Sequence, residues 1–163
     1  MSSEKNCRYY PSDDNYCDHP ICDRQAALNA STGSAGPLPI ITTLLASPIN
    51  VVSTSIDTTG MGNTNNLLTF TSTISLPLGI SVTLNFQIQR VYNNGSPRNV
   101  GSTYTFSAAV NVLESEAFSF QFMDAHVPDG SYTYSVILST NSIIDVTPGA
   151  TIQAVLSVLA VAV

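Results

Sequence analysis

The chain has 163 residues, enough for one domain with a sizeable core. Only 10% of the residues are charged, the formal net charge is -6, and Lys5 is the sole lysine. Because no basic cluster could neutralise phosphates, the composition argues against nucleic acid as a partner. The N-terminus lacks the cationic start and apolar run of a secretory signal peptide, so we expect no Sec export. The longest apolar run, residues 154–163, is too short for a membrane span.

The first predicted element is an N-terminal connector tail, residues 1–24, which has no periodic apolar pattern. This tail contains all the cysteines of the protein: Cys7, Cys17 and Cys22. Residues 25–39, QAALNASTGSAGPLP, are small and uncharged and include glycine and proline, which predicts a flexible linker. The folded domain is then expected to comprise residues 40–163.

From residue 40 onward, apolar residues recur at every second position, which is typical of half-buried β-strands. In ISVTLNFQI, residues 80–88, the even-numbered residues are apolar and the odd-numbered residues between them are polar. Comparable patterns predict strands in ITTLLA (41–46), NVVSTSID (50–57), LLTFTSTIS (67–75), TYTFSAAV (103–110), FSFQF (118–122), YTYSVIL (132–138) and ATIQAVLSVLAVAV (150–163).

Turn-forming dipeptides separate several of these strands. Asn94-Gly95 and Asp129-Gly130 both accept the positive φ angles of tight turns. No segment has the apolar stripe of an amphipathic helix. The sequence therefore predicts an all-β fold, a single eight-stranded antiparallel jelly-roll-like sandwich with an extended N-terminal tail.

The last predicted strand is apolar on both faces. One face carries Ile152, Ala154, Leu156 and Val158, and the other carries Val155, Leu159, Val161 and Val163. A strand of this kind is either closed over by its own domain or buried against a neighbouring subunit. Both interpretations are open at this point.

The cysteines and His19 form the pattern C-x9-C-x-H-x2-C. Cys7, Cys17, His19 and Cys22 could bind zinc, although only the last three are as closely spaced as structural zinc ligands usually are. Disulfides explain the odd cysteine number better. Since the body has no cysteine, bonds between subunits must join tail to tail, with an internal pair such as Cys17 and Cys22 as an option. A tail with reduced, idle thiols is the third interpretation.

Acidic residues in the body offer little evidence of catalysis. The segment DAHVPDG contains Asp124, His126 and Asp129, and an Asp–His pair could orient a general base. However, the sequence has no G-x-S-x-G, phosphate-loop, HExxH or EF-hand pattern. Asp57 in SIDTTGM is expected to bond the backbone of a turn. We therefore predict no catalytic residues, no cofactor and no enzyme activity.

Several motifs in the body carry a family resemblance: SIDTTGM, LTFTSTIS, LNFQIQRV, VGSTYTFS, FSFQFMD and YTYSVIL. Over roughly residues 48–140 the chain resembles a family of unknown function found among small β proteins of spore-forming anaerobic bacteria. Its architecture is similar to that of endospore appendage subunits. The resemblance implies jelly-roll subunits that stack into fibres by sheet augmentation, with cysteine-bearing N-terminal connectors linking them covalently.

The leading hypothesis is a structural, self-assembling subunit of an extracellular filament or endospore appendage. Its expected partners are copies of itself, with other spore-surface proteins as further candidates. The expected location is extracellular or the spore surface, after assembly in the mother cell. The alternative is a carbohydrate- or surface-binding β-sandwich module, for which four tyrosines could form a platform: Tyr92, Tyr104, Tyr132 and Tyr134.

Overall fold

The computed structural model describes residues 25–38, 48–77, 80–110, 114–140 and 149–163, and the backbone of Cys7–Arg8 and Ile21–Cys22. All regular secondary structure in these ranges is β-strand. Within them, no helix exists that is long and apolar enough to cross a membrane.

Ten strands follow one another along the chain. They are β1 (Cys7–Arg8), β2 (Ile21–Cys22), β3 (Ala26–Ala35), β4 (Ile49–Asp57), β5 (Thr64–Leu76), β6 (Ile80–Tyr92), β7 (Arg98–Val110), β8 (Glu114–Val127), β9 (Ser131–Ser139) and β10 (Thr151–Ala162). The predicted turn between β6 and β7 is present, but its two positive φ angles are at Asn93 and Asn94, one residue before the predicted Asn94-Gly95 pair.

Strands β3 to β10 form two four-stranded antiparallel sheets. One has the order β3-β10-β5-β8, which we call the outer-row sheet, and the other has the order β4-β9-β6-β7. Consecutive strands mostly alternate between the sheets, and the last strand lies between the first and third strands of the sandwich. This interleaving is the jelly-roll arrangement, and it confirms the predicted fold class.

The first strand of the sandwich differs from the prediction. Residues 26–35 of the expected linker, 25–39, form β3 and pair with β10 along their whole length. The linker prediction is wrong for these ten residues. Their small side chains have a packing role, because a Cβ atom on Gly33 would lie 2.7 Å from Cβ of Val52 on β4. The predicted strand 41–46 lies outside the described residues.

The core lies between the two sheets. Alternate residues of β5, β6, β9 and β10 point inward, and the largest fully buried side chains include Phe70, Phe86, Leu84, Leu156 and Tyr134. On β10 the face of Ile152, Ala154, Leu156 and Val158 is buried, as the alternation predicts. Its other face is exposed at Val155, Leu159 and Val161, so the described part of the domain does not cover it.

Candidate assembly interface

Among the described strands, the β3 edge of the outer-row sheet has a regular register and no strand on its outer side. The N–H of Ala162 donates to the carbonyl of Gln25 at 2.9 Å, so these two facing residues form a hydrogen-bonded pair. The β3 residues that face even-numbered β10 residues form hydrogen-bonded pairs in the same way. Hydrogen-bonded and non-hydrogen-bonded pairs alternate in an antiparallel ladder. The intervening β3 residues therefore direct their backbone groups away from β10. These residues are Ala26, Leu28, Ala30, Thr32 and Ser34, all exposed and uncharged.

The opposite edge of the same sheet, β8, has a comparable pattern. The N–H of Val163 donates to the carbonyl of Asn63 at 3.0 Å, so odd-numbered β5 residues bond β10 and even-numbered ones bond β8. Up to Asp124 the register is regular. The β8 residues that face away from β5 are Ser115, Ala117, Ser119, Gln121 and Met123, again exposed and uncharged.

One side-chain hydrogen bond caps each of these edges. On β3, the Asn29 Oδ1 accepts the outward N–H of Ala30 at 2.9 Å, while its Nδ2 donates to the carbonyl of Ser55 at 2.6 Å. On β8, the hydroxyl of Tyr104 donates to the outward carbonyl of Gln121 at 3.3 Å. These two caps occupy one backbone group on each edge.

Both edges of the other sheet are interrupted. The β4 ladder contains a register shift between Asn50 and Val52. The β7 ladder shifts opposite Phe86 and Ile88, where Gly101 adopts a φ of 69°. Bulges of this kind disturb the row of backbone groups that a further strand would need. Regular open edges therefore belong to the outer-row sheet, and the interrupted ones to its partner.

An apolar row crosses the exposed face of the outer-row sheet. The registers place Leu28, Leu159, Leu67 and Met123 side by side on β3, β10, β5 and β8. We call this set the apolar row. Its two end members are the most exposed, with 70% of Leu28 and 50% of Met123 accessible to solvent. Exposed apolar residues arranged in one row at strand edges are typical of an interaction surface.

The segment DAHVPDG, for which the sequence predicts no catalytic role, contributes Asp124 to a structural contact. Asp124 is buried and accepts hydrogen bonds from Arg90 Nη1 at 2.7 Å and from the hydroxyl of Tyr134 at 2.8 Å. The Nδ2 of Asn66 donates to the same hydroxyl at 2.9 Å. Burial and the charge of Asp124 raise the pKa of Tyr134 well above its ordinary value. These four residues form a polar cluster that links β8 with the opposite sheet.

The remaining acidic and histidine candidates do not form a reaction site. His126 is exposed at a φ of 53°, and its backbone N–H donates to Asn65 Oδ1. Asp129 accepts the N–H of Gly60 at 3.2 Å. Asp57 accepts the N–H and hydroxyl of Thr59, as predicted for a turn. Within the described residues, no group of three or more His, Cys, Asp or Glu could hold a metal ion.

Three of the four tyrosines considered for a sugar-binding platform pack against other parts of the domain. Tyr132 and Tyr134 are buried, and the ring of Tyr104 stacks on Phe120 at 3.9 Å between centroids. Tyr92 is exposed and lies 5.1 Å from the Tyr132 ring. A single exposed ring of these four offers little area for a flat sugar platform, so the arrangement disfavours the carbohydrate-binding alternative.

The backbone of β1 and β2 brings two of the three cysteines together. These strands pair antiparallel, with Cys7 directly opposite Cys22. Cys17 and His19 lie outside the described residues. The predicted roles of the cysteines in disulfides between subunits stay predictions.

Residues 24–162 match the family described as Domain of unknown function (DUF4489). The chain belongs to this family. The predicted membership of a family of unknown function is thus confirmed, over a longer range than the motifs suggested. No curated protein matches the chain in sequence.

The solved structures that are similar to the chain include virus particles. The chain is 10% identical to a chain from the structure of infectious bursal disease virus Gx strain, with a TM-score of 0.49, and the match covers 96% of this chain and 37% of that one. The chain is also 10% identical to the VP2 subviral particle of infectious bursal disease virus, with a TM-score of 0.49, and that match covers 98% of this chain and 38% of that one. The chain thus spans less than half of these proteins, and similarity at this level carries no functional argument.

Sequence reasoning missed the residues that define this interface. Leu28 and Asn29 lie in the segment that was predicted to be a linker. Met123 follows FSFQF and continues β8, but its sequence position does not reveal that it shares a row with Leu28. The available signal was the uncharged, proline-free run of residues 26–35, which is compatible with a strand as well as with a linker.

Proposed function

We propose that the protein is a structural, self-assembling subunit of an extracellular filament or endospore appendage. Subunits polymerise by β-strand augmentation, and the cysteines of the N-terminal tail link them covalently. The observation that carries this proposal is the outer-row sheet, whose two edges are both regular, uncharged at the outward-facing positions and free of bulges over residues 26–35 and 114–124. Natural proteins usually protect such edges unless they are used.

The low proportion of charged residues in the chain supports association. Only 10% of the residues are charged, so the repulsion that keeps many proteins monomeric is weak. The outer face of the sheet carries mainly Ser, Thr, Ala and aliphatic side chains, and the apolar row crosses it. Main-chain hydrogen bonds from edge pairing would supply affinity, while the apolar row would supply register.

The location also belongs to this proposal. A structural protein of the spore surface can be assembled in the mother cell and become extracellular when that cell lyses. The tail, with all the cysteines of the chain, would then meet oxidising surroundings in which disulfides persist. Other spore-surface proteins are candidate secondary partners.

Assembly can be measured directly on the purified full chain. We expect sedimentation velocity to show species that grow with protein concentration, and negative-stain microscopy to show filaments. A variant with Cys7, Cys17 and Cys22 changed to serine should still assemble, because edge pairing needs no thiol, but its assemblies should dissociate in SDS without reductant. Monomers at every concentration, under both oxidising and reducing conditions, would contradict the proposed function.

A further inference from the structure

We propose that the β3 edge of one copy pairs antiparallel with the β8 edge of the next copy, with Leu28 opposite Met123. This inference rests on the proposed function and names the surfaces through which assembly occurs. It concerns the two edges of a single sheet, so each copy offers one of each to its neighbours.

The strand directions suit this pairing. Neighbouring strands in the order β3-β10-β5-β8 are all antiparallel, so β3 and β8 run in opposite directions. A second copy in the same orientation, placed beside the first, therefore presents its β3 antiparallel to β8. The sheet can continue from copy to copy without turning either one over.

Cross-strand rows within one copy indicate the register. The registers place Ala30, Ser157, Thr69 and Gln121 in one row, and Thr32, Val155, Thr71 and Ser119 in the next. Continuing each row in a straight line sets four outward-facing pairs between copies: Leu28 with Met123, Ala30 with Gln121, Thr32 with Ser119, and Ser34 with Ala117. Each such pair can exchange two backbone hydrogen bonds.

The apolar row is the feature that selects this register. Leu28 and Met123 are exposed at opposite edges of the sheet and at the two ends of the same row. In the proposed register each shields the other, and the row becomes continuous across copies. A shift by two residues in either direction would separate the two large side chains and leave Met123 opposite an alanine, and a shift by one would reverse their faces.

The two edge caps meet in the same register. Ala30, whose N–H is bonded to Asn29, comes opposite Gln121, whose carbonyl accepts the Tyr104 hydroxyl. A carbonyl oxygen can accept two hydrogen bonds, so the cap on β8 can stay in place. The Ala30 N–H has one hydrogen to donate and must leave Asn29. Asn29 therefore opposes pairing in the isolated subunit.

This interface has consequences for the shape of the assembly. It joins two different surfaces, β3 and β8, so it is heterologous and extends into a fibre when it does not close. The right-handed strand twist would rotate successive copies and make the fibre helical. Pairing of β3 with β3, or of β8 with β8, would instead give a closed dimer.

Cross-linking can test the edges and the register together. In chains with Cys7, Cys17 and Cys22 changed to serine, one preparation carries Leu28→Cys and another Met123→Cys. Cα atoms in a hydrogen-bonded pair are about 5.5 Å apart, which a disulfide can span. Oxidised glutathione accepts the two electrons and two protons of the thiols and becomes two reduced glutathiones. We expect an equal mixture to give a cross-linked dimer, at least tenfold more than either preparation alone.

The matched control replaces Leu28→Cys with Thr32→Cys, which lies on the same edge but two rows away from Met123. Cross-linking of Leu28→Cys with itself, or equal cross-linking of the Thr32→Cys control, would overturn the proposed pairing. Microscopy of the same mixtures separates the two levels of failure. Filaments without the Leu28–Met123 cross-link would refute these edges and leave the proposed function in place, whereas monomers alone, also in the parent chain with only Cys7, Cys17 and Cys22 changed to serine, would refute both.

A second, independent inference concerns the tail. The β1–β2 register places Cys7 directly opposite Cys22, and Cα atoms of facing antiparallel residues are about 4.5–5.5 Å apart. This separation lies within the range that disulfides require. We infer that Cys7 and Cys22 form a disulfide within one chain, in which two thiols transfer two electrons and two protons to an oxidant such as oxidised glutathione.

This pairing limits covalent linkage between copies. With Cys7 and Cys22 joined, Cys17 is the one remaining thiol in the chain, and one thiol can link only two chains. Non-reducing SDS electrophoresis should then show bands for the monomer and the covalent dimer, and no bands for larger covalent oligomers. The inference rests on the proposed function only for the dimer, since the internal bond can form in a monomer.

Peptide mapping identifies the bond. Digestion of the oxidised full chain with trypsin and a protease that cleaves before aspartate separates the three cysteines into residues 6–8, 14–17 and 18–22. We expect mass spectrometry to find 6–8 joined to 18–22. Peptide 14–17 joined to 18–22, or 6–8 joined to 14–17, as the main product would overturn the assignment. Filaments in the same preparation report on the proposed function separately.

Discussion

The two sides of the sandwich are closed in different ways. On one side β3 lies against β4 so closely that Gly33 has no room for a Cβ atom beside Val52. On the other side β7 and β8 are held apart by rings: Phe118 lies near Phe86 and Phe106, and Phe120 lies between Phe70 and Tyr104. We call these the backbone side and the aromatic side.

This difference shows how the two edges of one sheet can differ in structure and still be suited to pair between copies. The edge strand on the backbone side, β3, consists mostly of small residues, so its side chains leave the outward-facing backbone N–H and C=O groups accessible. On the aromatic side, large rings fill the space between the two sheets and bury apolar area by stacking on one another. Tyr104 contributes to both the rings and the β8 edge, because its hydroxyl donates to Gln121.

The largest expected effect is on the backbone side, at Gly33. A Gly33→Ala substitution places a methyl group against the β4 backbone and Val52, which cannot move independently of the sheet. We expect a loss of about 3 kcal/mol in the free energy of unfolding, measured by urea denaturation. Ser34→Thr, which adds a methyl group at an exposed position of the same strand, should change stability by less than about 0.5 kcal/mol. Equal effects of the two substitutions would show that β3 does not approach β4 this closely.

On the aromatic side we expect a smaller loss. Phe120→Ala removes a half-buried ring that stacks on Tyr104 and Phe70 and should cost about 2 kcal/mol in the free energy of unfolding. Phe120→Leu keeps most of the apolar area and should recover about half of the loss. If Phe120→Leu were as stable as the wild type, ring stacking would not be what closes this side.

The polar cluster behind the aromatic side should respond to pH. Burial raises the pKa of Tyr134, so the folded protein retains a proton that the unfolded chain loses near pH 10. Its contribution to stability is complete below about pH 10 and is lost as the pH rises through the folded-state pKa, by up to about 1.4 kcal/mol per pH unit.

Tyr134→Phe provides the comparison for that pH dependence. It should cost about 1.5 kcal/mol at neutral pH, because Asn66 and Asp124 each lose a partner. Between pH 10 and 11, the slope of unfolding free energy against pH should be flatter in the variant than in the wild type. Equal slopes would show that Tyr134 does not retain its proton in the fold.

The smallest effect on stability is expected at Asn29, with an opposite effect on assembly. Asn29→Ala removes the bond to the Ser55 carbonyl and should cost about 1 kcal/mol. It also releases the N–H of Ala30 for pairing, so assembly should begin at a lower protein concentration, measured by light scattering. Asn50→Ala, which removes an exposed asparagine from β4, is the matched control and should not promote assembly. Slower assembly of Asn29→Ala would contradict the role of this cap.

The sequence by itself determined the strands with a clear period of two. In residues 80–88 and 132–138 the alternation of apolar and polar side chains requires one buried and one exposed face, which only a strand provides. The fold class and the seven strands β4 to β10 follow from repeating that pattern, whereas β3 does not. The packing of Tyr132 and Tyr134 into the fold was also foreseeable, since they alternate with Thr and Ser.

Only the tertiary structure decided the role of residues 26–35. Small residues such as Ala, Ser and Gly are compatible with a linker, and also with a strand that must lie close to another sheet. The contact of Gly33 with β4 distinguishes the two, and it joins residues far apart in the chain. Likewise, Leu28 and Met123 share a row because three registers align β3, β10, β5 and β8. Local periodicity assigns each residue to a face, but the position along the neighbouring strand depends on long-range pairing.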